Sequence, residues 1–206
     1  MLDIEHLDLH QQRLMRVVGM MRTHGAKRVL DLGCGTGGLL QHLLRDRQFE
    51  TLVGVEQNGE LLAQAKLRLS PYVEPGSGRL ALICGSYAEN HPGLKDFDAA
   101  AMLETIEHVP PEGLSKVERA VFSGLRPRLL VITTPNQEYN PLYGMAPGEF
   151  RDPDHKFEWG RSRFRDWCVG VARRNGYSVR FSGVGEAHPD LGHPSQLAEF
   201  HHTDPG

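Results

Sequence analysis

At 206 residues, 39% hydrophobic and 24% charged, the chain suits one globular domain over 1–206, with a core of about residues 9–200. A formal net charge of −3 excludes a uniformly basic nucleic-acid binder, and no apolar run nears the roughly 20 residues of a membrane span. Cys34, Cys84 and Cys168 are odd in number and without CxxC spacing, and no secretory leader opens the chain, so a cytoplasmic, monomeric protein with reduced thiols is expected, away from membranes.

In chain order, Gln11 to Met21 reads as a helix, with Leu14, Val17, Val18 and Met21 at i, i+3, i+4 and i+7. Arg28 to Leu32 is a buried strand, and Leu39, Leu40, Leu43 and Leu44 mark the next helix. Thr51 to Glu56 is a strand, and Gly59 to Leu69 a helix stopped by Ser70-Pro71. After a loop, Pro71 to Gly78, come two strands, Leu80 to Cys84 and Phe97 to Leu103. Glu112 to Ser123 is helical and Arg128 to Thr133 a strand.

A long Pro/Gly-rich loop, Pro135 to Gly160, follows, and loops of that length are often functional. The last helix is Ser162 to Asn175, with Ser162 as its N-cap and Gly176 as its stop. Tyr177 to Ser182 and Gln196 to Phe200 form a closing hairpin-like pair of strands, and 201–206 a loose tail. The alternation implies an α/β fold, a mostly parallel sheet covered by helices on both faces.

Two segments carry chemistry. The run Asp31-Leu-Gly33-Cys-Gly35-Thr-Gly37 follows a strand and opens a helix, so the backbone can approach a ligand at the sheet's carboxyl edge. No Gly-Lys-Ser/Thr follows, which excludes a Walker loop. Glu56 ends the second strand, where a carboxylate can accept from both hydroxyls of an adenosyl ribose. Ser86 and Tyr87 follow the third strand, at the adenine end of such a pocket.

The second segment is Glu104-Thr-Ile-Glu107-His108, at the end of the fourth strand. Spacing of i, i+3 and i+4 aims three ligand-type side chains one way if the segment is a helical turn, and His155 in the long loop supplies a fourth. Two carboxylates and two imidazoles suit an octahedral divalent ion, Mg²⁺ or Mn²⁺, the imidazoles tilting toward Mn²⁺. Such an ion keeps two positions open, enough for a vicinal diol.

The glycine run resembles the first motif of class I S-adenosylmethionine-dependent methyltransferases. That likeness implies Asp31 near the methionine end of the cofactor, with Gly33, Gly35 and Gly37 lining it. With Cys84-Gly-Ser86, Glu104-Thr-Ile-Glu107-His108, Thr133-Thr-Pro-Asn136, Glu138-Tyr-Asn140, Asp154-His-Lys-Phe-Glu-Trp159 and Pro194 to Phe200, the chain resembles the HEN-type small-RNA 2′-O-methyltransferases in order from about Leu9 to Phe200. The resemblance implies a Rossmann-like, seven-stranded sheet and S-adenosylmethionine as cofactor. It implies Glu104, Glu107, His108 and His155 as metal ligands, in methyl transfer to the 2′-hydroxyl of an RNA 3′-terminal ribose. It also implies capture of the RNA with a separate repair or silencing partner. Gly160 departs from the hydroxyl residue expected there.

The residues alone leave two other readings open: a small-molecule diol O-methyltransferase, and a non-catalytic subunit that holds RNA 3′ ends. Charge is uneven, residues 151–181 carrying 8 Lys+Arg against 4 Asp+Glu. Phe164, Trp167, Cys168 and Val171 fall on one helix face and read as core, which leaves the arginines between them as phosphate contacts.

Overall fold

A computed structural model describes residues 8–73, 76 and 78–203. Seven strands form one sheet: β1 Arg28–Leu32, β2 Thr51–Glu56, β3 Leu80–Cys84, β4 Ala99–Leu103, β5 Leu129–Pro135, β6 Tyr177–Val184 and β7 Ser195–His202. Their order is β3-β2-β1-β4-β5-β7-β6. All pairings among β1 to β5 are parallel, and β7 alone runs against its neighbours β5 and β6. The strand order reverses between β1 and β4, and ligands of open α/β sheets bind where it does, outside the strands' carboxyl ends.

Among the described residues five α-helices cover the sheet: α1 Leu9–Thr23, α2 Gly38–Leu44, α3 Gly59–Leu69, α4 Leu114–Glu118 and α5 Arg161–Asn175. On one face, α1, α2 and α3 pack Leu14, Val17, Leu40, Leu43 and Leu62 onto Val29, Leu52 and Val131. On the other, α4 and α5 pack Val117, Phe164, Cys168 and Val171 onto Leu30, Leu130, Ala198 and Phe200. Strand residues of β1 therefore alternate between two cores, which is why its four central and last positions are all buried. Among the described residues no helix is long and apolar enough to cross a membrane.

Several boundaries differ from the sequence reading. The helix expected over Glu112 to Ser123 is a short α4 that loosens into a π-helical stretch, Arg119–Leu125. Ser162 is not the cap of α5: the helix starts at Arg161, and the N-cap Gly160 has no side chain to cap with. Glu138 takes over that role, its Oε1 accepting from the Arg161 N–H at 2.7 Å. That contact also accounts for Gly160, since a Cβ there would stand 2.8 Å from the same Oε1. His201 and His202, expected in a loose tail, complete β7 and pair with Leu129 and Tyr177. The tail residues 204–206 lie outside the described residues.

Candidate active site

The glycine turn crosses from β1 to α2 with Gly33, Gly35 and Gly37 all at positive φ. Gly33 is the most constrained, because a Cβ added there would lie 2.6 Å from the Thr105 methyl, while one at Gly37 would lie 2.9 Å from a Leu69 methyl. Glu56 sits beneath the turn, its Oε2 accepting from the Gly35 N–H at 2.9 Å and its Oε1 from the Asn58 N–H at 2.8 Å. Both oxygens keep a second lone pair for a further donor. Asp31 is buried, and its carboxyl is pushed up to about 7 by that burial and, second, by the charge of Glu56.

Ser86 and Tyr87 close the turn after β3. The Ser86 hydroxyl accepts from the Ala88 N–H at 3.2 Å, and the Tyr87 hydroxyl donates to the Thr105 carbonyl at 3.2 Å. Burial raises the Tyr87 phenol further, which keeps it a neutral donor.

The ligand-type residues separate into two groups. Glu104 has φ 51, an uncommon left-handed conformation for a residue with a side chain. Its N–H donates to the Thr133 carbonyl at 3.0 Å, and the chain enters the 3₁₀ turn Ile106–His108 only after that kink. Helical spacing therefore does not hold from Glu104 to Glu107. The Glu104 carboxylate points instead to Arg13, at 3.2 Å, and accepts from the Ser195 hydroxyl at 2.9 Å.

Glu107, His108 and His155 do come together, one donor atom of each lying within 4.8 Å of the others. The loop carrying His155 is tied down there by the Lys156 N–H, which donates to the Glu107 carbonyl at 2.7 Å. Glu107 is fully buried; its Oε2 accepts from the Thr134 hydroxyl at 3.0 Å, while its Oε1 has no hydrogen-bond partner among the described residues. Burial, then the charge of Glu104, pushes the Glu107 carboxyl well above its usual range.

Each imidazole is oriented by a carboxylate. His155 Nδ1 lies 2.6 Å from Glu158 Oε1, and His108 Nδ1 lies 3.2 Å from Asp154 Oδ2. Assigning the Nδ1 proton to those contacts leaves both Nε2 lone pairs for an ion, the carboxylate–histidine arrangement that fixes ligand tautomers in metal sites. Glu158 is itself buried and accepts from Asn140 Nδ2 at 2.6 Å and from the Arg151 N–H at 2.7 Å.

Two cavities meet at this edge. One, of about 270 Å³, is lined by His10, Arg13, Asp31, Gly33, Gly35 and Glu104. The other, of about 670 Å³, is lined by Arg13, Glu104, His108, Tyr143, Arg151 and His155. Arg13 and Glu104 belong to both. Sequence reasoning missed Arg13, Arg151 and Glu158. The available signal for Arg13 was a basic residue on the polar face of an otherwise apolar-striped helix, which is too common to single out.

A family profile described as "Methyltransferase domain" matches residues 29–128. The methyltransferase domain of a bacterial protein, CtHen1-C, superposes with a TM-score of 0.85 at 40% identity, covering 95% of this chain and 99% of that one. The chain belongs to the HEN-type small-RNA 2′-O-methyltransferase family. Its seven-stranded sheet is the class I methyltransferase fold. Relatives named small RNA 2′-O-methyltransferase include one from Xenopus tropicalis, 38% identical over 201 residues, and one from Mus musculus, 40% identical over 183. Those alignments cover 93% and 86% of this HEN-type chain, but only 54% and 46% of the relatives, so the chain spans about half their length.

Proposed function

We infer that the chain transfers a methyl group from S-adenosylmethionine to the 2′-oxygen of an RNA 3′-terminal ribose. One observation carries this reading: a glycine-turn cavity and a second cavity share Arg13 and Glu104, and the second is lined by His108 and His155, which converge with the buried Glu107. The small-RNA activity named for the relatives supports RNA as the substrate class.

The residues fit a divalent cation. Glu107 Oε1 is buried without a hydrogen-bond partner among the described residues, and each imidazole offers a ring nitrogen within 4.8 Å of the other ligand atoms. Glu107, His108 and His155 would hold the ion, and Glu104 would complete the set by leaving Arg13 and Ser195. Mg²⁺ or Mn²⁺ suits that mixture of carboxylate and imidazole. When bound, such an ion supplies positive charge that lowers the pKa of a contacting hydroxyl and two open positions that suit a vicinal diol. In RNA a free 2′,3′-diol exists only at the 3′ end. Radiolabelled methyl transfer to RNA and to a catechol, with and without Mn²⁺, tests the reading; transfer to catechol alone would overturn it.

On the cofactor side, Glu56 and Asp31 hold the nucleoside and the methionine end. Glu56→Ala is expected to weaken S-adenosylmethionine binding by about tenfold or more, since one charged hydrogen-bond acceptor is lost. Because Glu56 also supports the Gly35 and Asn58 N–H groups, circular dichroism should accompany the calorimetric titration. Unchanged affinity would count against the assignment.

Asp31 makes a second expectation. A carboxyl raised to about 7 retains its proton when the unfolded chain has lost it, so its stabilising contribution is full below about 3.8 and is lost as pH rises through about 7. A cationic cofactor arriving beside it favours the ionised form. Binding near pH 6 should therefore release a fraction of a proton, falling toward none above pH 8. Titration calorimetry in buffers of different ionisation enthalpy reads this directly, and buffer-independent heats near pH 6 would remove Asp31 from the pocket. The same free cysteines, Cys34, Cys84 and Cys168, support a reducing, cytoplasmic setting.

A further inference from the structure

A third cavity, of about 670 Å³, opens beyond the reacting centre, between α1 and the start of α5. Arg16 of α1 and Arg161 and Arg165 of α5 line it, with Phe164 and Phe181 as apolar lining and no acidic side chain. Some arginines are paired with carboxylates: Arg22 with Asp46 and Arg174 with Glu118. Arg161 is likewise held by Glu138, at 2.7 Å. Arg16 and Arg165 have no carboxylate partner among the described residues. The Arg165 guanidinium lies over the Phe181 ring, 5.3 Å from its centroid, so it is held in place without its charge being neutralised.

Two buried residues, Ser195 and Asn136, form the wall between this cavity and the reacting centre. Ser195 lines it while donating to Glu104 on the other side. Asn136 also lines it, and its carbonyl accepts at 2.6 Å from Arg151, which lines the cavity holding His108 and His155. A chain passing over this wall from the Glu/His/His set meets two arginines without a carboxylate partner among the described residues. Phosphate is the chemistry that matches them, and the volume admits nucleotide-sized groups.

Resting on the reading above, we propose that this cavity seats the nucleotides that precede the RNA 3′ terminus, with Arg16 and Arg165 on their phosphates. Terminal diol and upstream backbone would then be gripped by different parts of the molecule. The reacting end is set by the Glu/His/His cluster, and most of the affinity by the α1–α5 arginines.

The test is the double variant Arg16→Glu/Arg165→Glu beside Arg16→Lys/Arg165→Lys, with 5′-fluorescein RNA of about 16 nucleotides. Anisotropy titrations over a range of salt give the affinity, and single-turnover methyl transfer gives the rate. Charge reversal is expected to weaken RNA binding by tenfold or more and to flatten the salt dependence by about two phosphate contacts. The lysine pair should keep most of the affinity. S-adenosylmethionine affinity and the rate at saturating RNA should stay near wild type, and the defect should vanish on a mononucleoside, which has no upstream phosphate. Equal RNA affinity and salt slope in the charge-reversed and native proteins would overturn the proposal, as would an equal loss on the mononucleoside. Methyl transfer absent from the native protein would sink the activity reading alone, because the binding titration needs no turnover.

Discussion

Glu107→Gln is expected to abolish methyl transfer while making the metal-free protein more stable near neutral pH. The side chain is fully buried and its Oε1 finds no donor among the described residues, so the folded protein bears the cost of a desolvated carboxylate. Its carboxyl is raised well above the usual range by burial and then by Glu104. For a raised carboxyl, the stabilising contribution is complete below the unfolded value, 4.5, and is lost as pH climbs above it. Glutamine keeps the shape and the contact with Thr134 but carries no charge. Its advantage should therefore be absent in acid and grow with pH, each kcal/mol appearing as about 2–4 °C in Tm for a chain of this size.

With Mn²⁺ present the order should reverse, because an ion bound to the folded state alone stabilises the native protein in proportion to its affinity. Glu107→Gln, His108→Ala and His155→Ala should all lose that response, and EDTA should mimic them in the native protein. Thermal melts with and without Mn²⁺ read the effect independently of turnover. Full methyl transfer by a chelator-treated, metal-free preparation would refute the metal role.

The other large effect concerns the substrate terminus. An RNA ending in 3′-deoxyribose keeps the 2′ nucleophile but loses one of the two oxygens that hold it in place. If terminal diol recognition positions the 2′-oxygen, single-turnover methylation should fall by about 10²-fold or more, the scale of cost that misplacement by an ångström carries. A 2′-deoxy terminus should give no product, since it removes the nucleophile, and a 3′-phosphate should fail by blocking the diol. Comparable rates on 3′-deoxy and ordinary ends would show that both hydroxyls are not used. Methylation of internal riboses would be more damaging, because it would remove the reason for a diol site.

The local pattern of this chain determines its elements and the cofactor turn. Leu14, Val17, Val18 and Met21 at helical spacing make α1, and the apolar runs around Val29, Leu52 and Leu130 make strands buried on both faces. Asp31-x-Gly33-x-Gly35-x-Gly37 dictates a left-handed backbone turn after β1, because positive φ at three positions is tolerated by glycine. These features need only near neighbours in the chain, so they are legible in order along it. The extension of β7 through His201 is not, since strand length there is set by pairing with Leu129 and Ser178.

The site shows the same division. Glu107 and His108 are neighbours in sequence, and their proximity could be read directly. That His155 joins them depends on Lys156 bonding the Glu107 backbone and on Glu158, Asn140 and Arg151 holding the imidazole, contacts made across a long loop. That Glu104 turns away depends on a left-handed kink accompanied by hydrogen bonding to Thr133, and on the charge of Arg13 and the donating hydroxyl of Ser195, both on other elements. Spacing fixes which residues share a turn only while the backbone stays helical. Where one residue leaves that conformation, the partners supplied by α1 and β7 decide the direction of its side chain, and only the folded chain brings them there.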